Sequence, residues 1–225
     1  MNAAAARAVA AHHLRTRLGN MPHAGDPELV GMIWRVPIHA DFPVPTSTDI
    51  LPFRNLGEIL IDDGSGEVVN TPTSEEREGR MAEEIGRVLG ETQNEILAFE
   101  CERCGRCCGP LGATAMEMDI IDRHVQLNSI VVSEYCQTTL SNSFIARATD
   151  SVWCPYLQDG ECLVYPVRPT ICRLFGTVTT HMHCVAGGKV KEPITHEAAF
   201  HILRRVEVLS TLWVMMRDHR MEMDA

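Results

Sequence analysis

No cysteine occurs in the first hundred residues of this chain, and all nine lie between positions 101 and 184. Thiol chemistry is therefore confined to the C-terminal part. Positive charge is also scarce. Twenty Lys and Arg face thirty Asp and Glu, for a formal net charge of −10, and such a surface does not attract a phosphate backbone. Nucleic acid is not expected as a partner; the simple reading of the charge is solubility. No run approaches the ~18 apolar residues that a spanning helix needs, so no membrane span is expected. GxGxxG turns and phosphate loops are missing, which leaves nucleotide binding without support. No recognisable nucleophile–base pair is present either, so no catalytic residue is assigned. No secretory leader is read at the start, and an odd number of thiols does not suit a fully paired disulfide scaffold. A cytoplasmic location is expected.

What is present is concentrated in Cys101-Glu102-Arg103-Cys104-Gly105-Arg106-Cys107-Cys108, four thiols within eight residues. Cysteines at i, i+3 and i+6 in a glycine-containing loop can turn three sulfurs toward one centre. Bacterial-type ferredoxins use this spacing and take their fourth thiolate from elsewhere in the chain. Structural zinc more often takes two separated CxxC pairs. The third close thiol favours a [4Fe–4S] cluster, with zinc as the alternative. Cys107 and Cys108 are adjacent, so their side chains diverge, and one of them is available for a second site or a redox role.

Two further groups belong with this loop. One is Cys154-Pro155-Tyr156-Leu157, and the other runs from Cys162 through Tyr165, Pro166, Arg168, Pro169 and Cys172 to Arg173. Cys184 follows in His181-Met182-His183-Cys184, while Cys136 stands apart and reads as a buried, inert thiol. Cys101, Cys104 and Cys107 are the expected local cluster ligands. Cys172 is the expected distant one, because it follows an Arg-Pro turn that could return it to the loop. Cys108, Cys154, Cys162 and Cys184 are the remaining metal-ligand candidates, able to build a second site or to enclose the first. His181 and His183 are left out of the site. Arg168 and Arg173 are candidate hydrogen-bond donors toward an anionic thiolate centre.

On these ordered motifs, CERCGRCC, CPYL and the Cys162–Arg173 run, the segment from about 99 to 185 resembles the CxxCxxCC family. That family includes YkgJ-like cysteine-cluster proteins and flagellin lysine-N-methylases. The resemblance implies zinc or iron chelation, and names a site better than it names an activity. Against a methylase-like enzyme, no glycine-rich methyl-donor loop is present, and Leu111 stands where a radical-enzyme CxxxCxxC pattern would need cysteine.

The rest of the chain reads as an α+β protein in four parts. Residues 1–26 form an N-terminal arm or solvent-facing helix, rich in Ala and Arg. Residues 27–95 form a β-hairpin-plus-helix module. A strand covers 32–38, with Pro37 marking an edge or strand end, and 43–52 is a proline-rich loop. Asp62-Asp63-Gly64-Ser65-Gly66 is the turn of a hairpin. A helix opens with Thr73 and Glu76 as a capping box, presents Met81, Ile85, Val88 and Leu89 on one face, and ends at Gly90. Residues 96–188 form the cysteine-cluster domain, with a strand at 96–99, a helix at 116–127 and an irregularly helical stretch at 130–147. Residues 189–225 end in an amphipathic helix whose stripe is Ile202, Val206, Leu209, Trp213 and Met216. The expected function is a metal-binding accessory protein that senses redox state or transfers electrons to a partner protein. A structural zinc-binding adaptor for protein interaction and a protein lysine-N-methylase-like enzyme are the alternatives.

Overall fold

The computed structural model describes residues 1–17, 22–96, 101, 105, 107–132, 134–141, 144–150, 153–178, 182, 190 and 192–223. The architecture is α+β, as the sequence suggests. The chain divides into two compact units, Met1–Val88 and Leu89–Ala225.

The first unit begins with helix α1 (Ala3–Arg17), followed by strands β1 (Pro22–Ala24), β2 (Glu28–Val30), β3 (Ile33–Pro43), β4 (Ile50–Phe53), β5 (Glu58–Asp62) and β6 (Val68–Asn70). Strand β3 organises the sheet: β1, β2, β4 and β5 all pair with it antiparallel, and β6 adds to β5. Its residues alternate strictly between buried and more exposed positions, the period-2 pattern of a strand with one face on the core. The strand does not stop at Pro37, as expected from sequence. Pro37 sits where the partners change: β2 pairing ends at Arg35, β5 pairing ends at Pro37, and β1 pairing starts at Ile38. A residue without an N–H is tolerated at such a junction.

The expectation of a solvent-facing N-terminal helix is also corrected. Ala6, Ala10 and Leu14 are buried to 1% exposure or less and form an i, i+4, i+8 stripe, with α1 packing against β1, β3 and β5. The small alanine side chains allow that close approach. The proline-rich loop is shorter than expected, since β3 runs to Pro43 and β4 begins at Ile50. The 62–66 hairpin turn is present between β5 and β6, with the Asp62 carboxylate accepting from the Ser65 amide at 2.7 Å.

Helix α2 (Ser74–Asn94) starts with the expected capping box. The Thr73 amide donates to Glu76 Oε2 at 2.7 Å, and the Glu76 amide donates to Thr73 Oγ1 at 3.2 Å. It continues through Gly90 to Asn94 because Gly90 stays out of the left-handed conformation that would end a helix.

The second unit contains strand β7 (Leu111–Thr114), helix α3 (Ala115–Leu127), strands β8 (Cys136–Ser141), β9 (Phe144–Ala148), β10 (Leu157–Gln158) and β11 (Glu161–Cys162), helix α4 (Thr170–Leu174) and helix α5 (His196–Met223). The stretch expected to be helical at 130–147 is instead the β8–β9 hairpin, which joins β7 in the order β7–β9–β8. Thr138, Thr139, Phe144 and Ile145 are β-branched or aromatic residues that suit the pleated surface. The strand expected at 96–99 lies almost wholly outside the described residues. Helix α5 packs on its own unit: Ala199 and Ile202 join Leu174 and Val178 in one apolar cluster. Ser210 Oγ accepts from the Met116 amide at 3.2 Å, and Trp213 Nε1 donates to Asp119 at 2.7 Å. Among the described residues, no helix is long and apolar enough to cross a membrane.

Candidate metal centre

The cysteine loop reaches its site through local geometry that requires glycine. Gly105 adopts φ +71°, and a Cβ there would lie 3.1 Å from the Leu157 side chain. Its carbonyl accepts from the Cys108 amide at 2.9 Å, closing a turn. The Cys108 carbonyl in turn accepts from the Cys154 amide at 3.3 Å. Main-chain bonding thus links the two cysteine segments before any metal is considered. The Cys154-Pro155-Tyr156-Leu157 turn closes with the Leu157 amide on the Cys154 carbonyl at 3.1 Å. Leu157 then pairs with Cys162 across β10 and β11. Asp159 and Gly160 connect these strands, both at positive φ, the conformation a two-residue hairpin loop demands.

Helix α4 carries Cys172, and a carboxylate holds the helix in place. Glu117 is 4% exposed. Its Oε1 accepts from both the amide and the hydroxyl of Thr170, each at 2.7 Å. Its Oε2 accepts from the amide and hydroxyl of Thr114 at 3.1 and 2.9 Å. The same side chain therefore completes the capping box of α3 and satisfies donors at the first turn of α4. Four donors make the buried carboxylate tolerable and fix Cys172 relative to β7. Glu117 was missed as a structural centre from the sequence. Its signal was present in Thr114-x-x-Glu117, the same capping pattern as Thr73-x-x-Glu76.

A second buried network supports Tyr156, two residues after Cys154. Arg147 pairs with Asp122 through two nitrogens, at 2.5 and 2.8 Å, and donates to the Tyr156 hydroxyl at 2.6 Å. Its guanidinium also lies 4.7 Å from the centroid of the Tyr135 ring. No spacing rule announces this group, because its members come from α3, β9 and a turn.

These elements enclose a cavity of about 220 Å³ whose wall includes Cys101, Cys107, Cys108, Cys154, Cys162 and Cys172. Six sequence-expected ligands are thus brought to one space. Cys104 and Cys184 lie outside the described residues, as do His181 and His183. Cys136 is on β8, exposed, which corrects its reading as a buried thiol. Leu111, Val164, Ile171 and Phe175 supply apolar wall between the sulfurs.

No disulfide joins Cys108, Cys154, Cys162 or Cys172, and all four are held protonated. Burial pushes the Cys108 thiol up to about 12, with Cys107, Cys154, Cys162 and Cys101 adding to it. Burial raises Cys172 as well, helped by Cys154, Cys162, Cys108 and Glu117. Cys154 and Cys162 are also raised chiefly by burial, with Arg168 opposing the effect at Cys162. Among the described residues, no three His, Cys, Asp or Glu side chains are already converged as metal ligands would be. A cation reverses this balance, because metal binding and thiol deprotonation are one coupled equilibrium.

The two candidate arginines separate. Arg173 donates to the carbonyls of Arg168 and Pro166, both at 3.0 Å, and so ties its own turn together. Arg168 lines the cavity, with its guanidinium 4.0 Å from the centroid of the Tyr165 ring. Its Nε is buried with no hydrogen-bond partner among the described residues. A cationic group with an unsatisfied buried donor, set among thiols, fits an anionic thiolate–metal centre. The sulfur-only donor set fits zinc or iron.

No curated protein and no solved structure matches this chain. Residues 100–197, which contain every cysteine on the cavity wall, match the CxxCxxCC family model, described as "Putative zinc- or iron-chelating domain".

Proposed function

We propose that the second unit holds a [4Fe–4S] cluster and serves as a redox-sensing or electron-transfer accessory to a partner protein. The observation that carries this reading is the cavity. At about 220 Å³ it far exceeds the ~10–15 Å³ that admits one water, whereas a lone ion in a tetrahedral thiolate site leaves almost no free space. Cys101, Cys104 and Cys107 of the loop, with Cys172 opposite, are the proposed ligands. Cys108, Cys154 and Cys162 are further candidates on the cavity wall. Such a cluster supplies one-electron chemistry at a potential set by its surroundings.

The chain's own residues do the rest. Glu117 and Thr170 hold the α4 helix that carries Cys172, the Arg147 network holds the turn that carries Cys154, and the apolar wall limits water. A Cys107 thiol released when oxygen destroys the cluster has the adjacent Cys108 as a partner for oxidation chemistry.

Anaerobic preparation with iron available is the test. Iron and inorganic sulfide in similar molar amounts, with broad visible absorbance lost in air, are expected. Stoichiometric zinc without sulfide would replace the cluster with the structural zinc reading. Substituting Cys172→Ser should remove most of the bound iron.

A further inference from the structure

Two arginines flank the cavity segment, and the structure gives them different work. Arg173 is committed to two main-chain carbonyls. Arg168 stands on the cavity wall with its Nε buried and unpartnered among the described residues. An unmade hydrogen bond on a buried donor is costly, and more so on a charged one. The guanidinium carbon lies over the Tyr165 ring, 4.0 Å from its centroid, and this contact holds the group in place. Tyr165 and Arg168 are also joined by a main-chain bond across the short 3₁₀ turn Tyr165–Val167. The group is thus pre-positioned with its Nε buried and unpartnered among the described residues, and the thiols that share the cavity are candidates for the missing acceptor.

We propose that Arg168 sets the reduction potential of the centre by donating a hydrogen bond and positive charge to its thiolate sulfurs. This rests on the cluster reading above. Arg168 is a positioning and tuning residue, acting through the sulfurs and not as a ligand. A cluster that gains one electron gains negative charge, so a fixed cation beside its sulfurs favours the reduced form. Removing that cation makes reduction harder. Arg173, which faces carbonyls, should lack this effect although it lies one residue from Cys172.

The experiment compares wild type, Arg168→Gln, Arg168→Lys and Arg173→Gln, each reconstituted anaerobically and titrated with dithionite as the one-electron donor. Iron and sulfide content are measured first on every protein. Zinc without sulfide in the wild type overturns the cluster reading, and this proposal with it. With a cluster loaded, Arg168→Gln should lower the midpoint potential by about 59 mV, a tenfold change in a one-electron equilibrium. Arg168→Lys should recover part of that shift because it restores charge without the planar donor. Arg173→Gln should leave the potential unchanged while lowering thermal stability. Equal potentials in wild type and a fully loaded Arg168→Gln protein overturn the role of Arg168 and leave the cluster reading standing. An equal shift in Arg173→Gln overturns it too, since the effect would then be one of general charge. Should Arg168→Gln fail to load, Arg168→Met, which also removes the cation, decides: a loaded Arg168→Met protein with the wild-type potential overturns the proposal.

Discussion

The interior of the first unit is almost entirely aliphatic and aromatic, with Val36, Ile38, Phe53, Ile59, Ile61 and Ile85 fully buried and Glu84 the only buried polar side chain among its described residues. In the second unit the described interior contains Thr92, Thr114, Glu117, Arg147, Thr170, Thr177 and Ser210, beside the thiols. Apolar cores tolerate small changes of shape and still fold. Polar networks are less forgiving, since a partly satisfied one is worse than none. In the second unit these networks hold thiols in position around a cavity, and a packed core would have no need of them. The two units therefore differ in what fills their interiors: mostly apolar side chains in the first, hydrogen-bonded polar groups beside thiols in the second.

The largest test of that contrast is metal removal. Binding free energies for structural metals in small thiolate sites are on the order of 10 kcal/mol, comparable with the whole stability of a domain, about 5–15 kcal/mol. The second unit keeps two apolar clusters of its own, so it should loosen without becoming a random chain. Chelation should make residues 99–185 protease-sensitive while 27–88 resists. Equal protection of both units after metal removal would break the comparison.

How much of this contrast was readable beforehand depends on the range of the interactions. The helix start at Thr73 and the Asp62–Gly66 turn are local, and each rests on residues within four positions of one another. The thiol motifs were readable for the same reason. The start at Thr114 is just as local and was not read. What else escaped was long-range or depended on context. Pro37 looked like an end because sequence does not show that β3 changes partners there. Gly90 looked like a helix stop, although it keeps out of the left-handed conformation and the helix runs on to Asn94. The 130–147 stretch carried no strong period, and its pairing with β7 decided for a hairpin. The cavity itself depends on Glu117 reaching Thr170, fifty-three positions away.

The next effect in size concerns that link. Glu117→Ala leaves the amides and hydroxyls of Thr114 and Thr170 without their acceptor, at a cost of about 3 kcal/mol. The second unit's thermal transition should fall by on the order of 10 °C, measured by calorimetry, with the first unit's transition unmoved. Glu84→Ala should do the converse, since Glu84 accepts from the Arg54 amide at 2.7 Å within the first unit. A fall in both transitions from either substitution would show that the two interiors are not independent.

Alkaline pH should separate the units more gently. In the metal-free protein burial raises the Cys108 thiol from 9.0 to about 12, and raises Cys154, Cys162 and Cys172 too. The folded state therefore binds protons that the unfolded state releases above about pH 9. Stability from this source is complete below that pH and is lost as pH rises toward the folded values. The slope is at most about 1.4 kcal/mol per pH unit for each thiol, and less for Cys108, which is only partly buried. The second unit's denaturation midpoint should fall between pH 8.5 and 10.5, while the cysteine-free first unit stays level. Metal-loaded protein should lose this dependence, because its ligands have already given up their protons.

The smallest expected effect belongs to Cys136. It sits on β8, opposite Ala148 of β9, exposed and absent from the cavity wall. Replacing it by serine removes no packed surface and no ligand, so stability should change by less than about 0.5 kcal/mol, as at ordinary surface positions. Metal content should match the wild type. Alkylation of the metal-free protein gives the complementary reading: among the described cysteines Cys136 should react first, since it is exposed whereas Cys154 is buried. A Cys136→Ser protein that lost metal would place a ligand outside the cavity, and the division between ligand-holding thiols and the rest of the second unit would have to be redrawn.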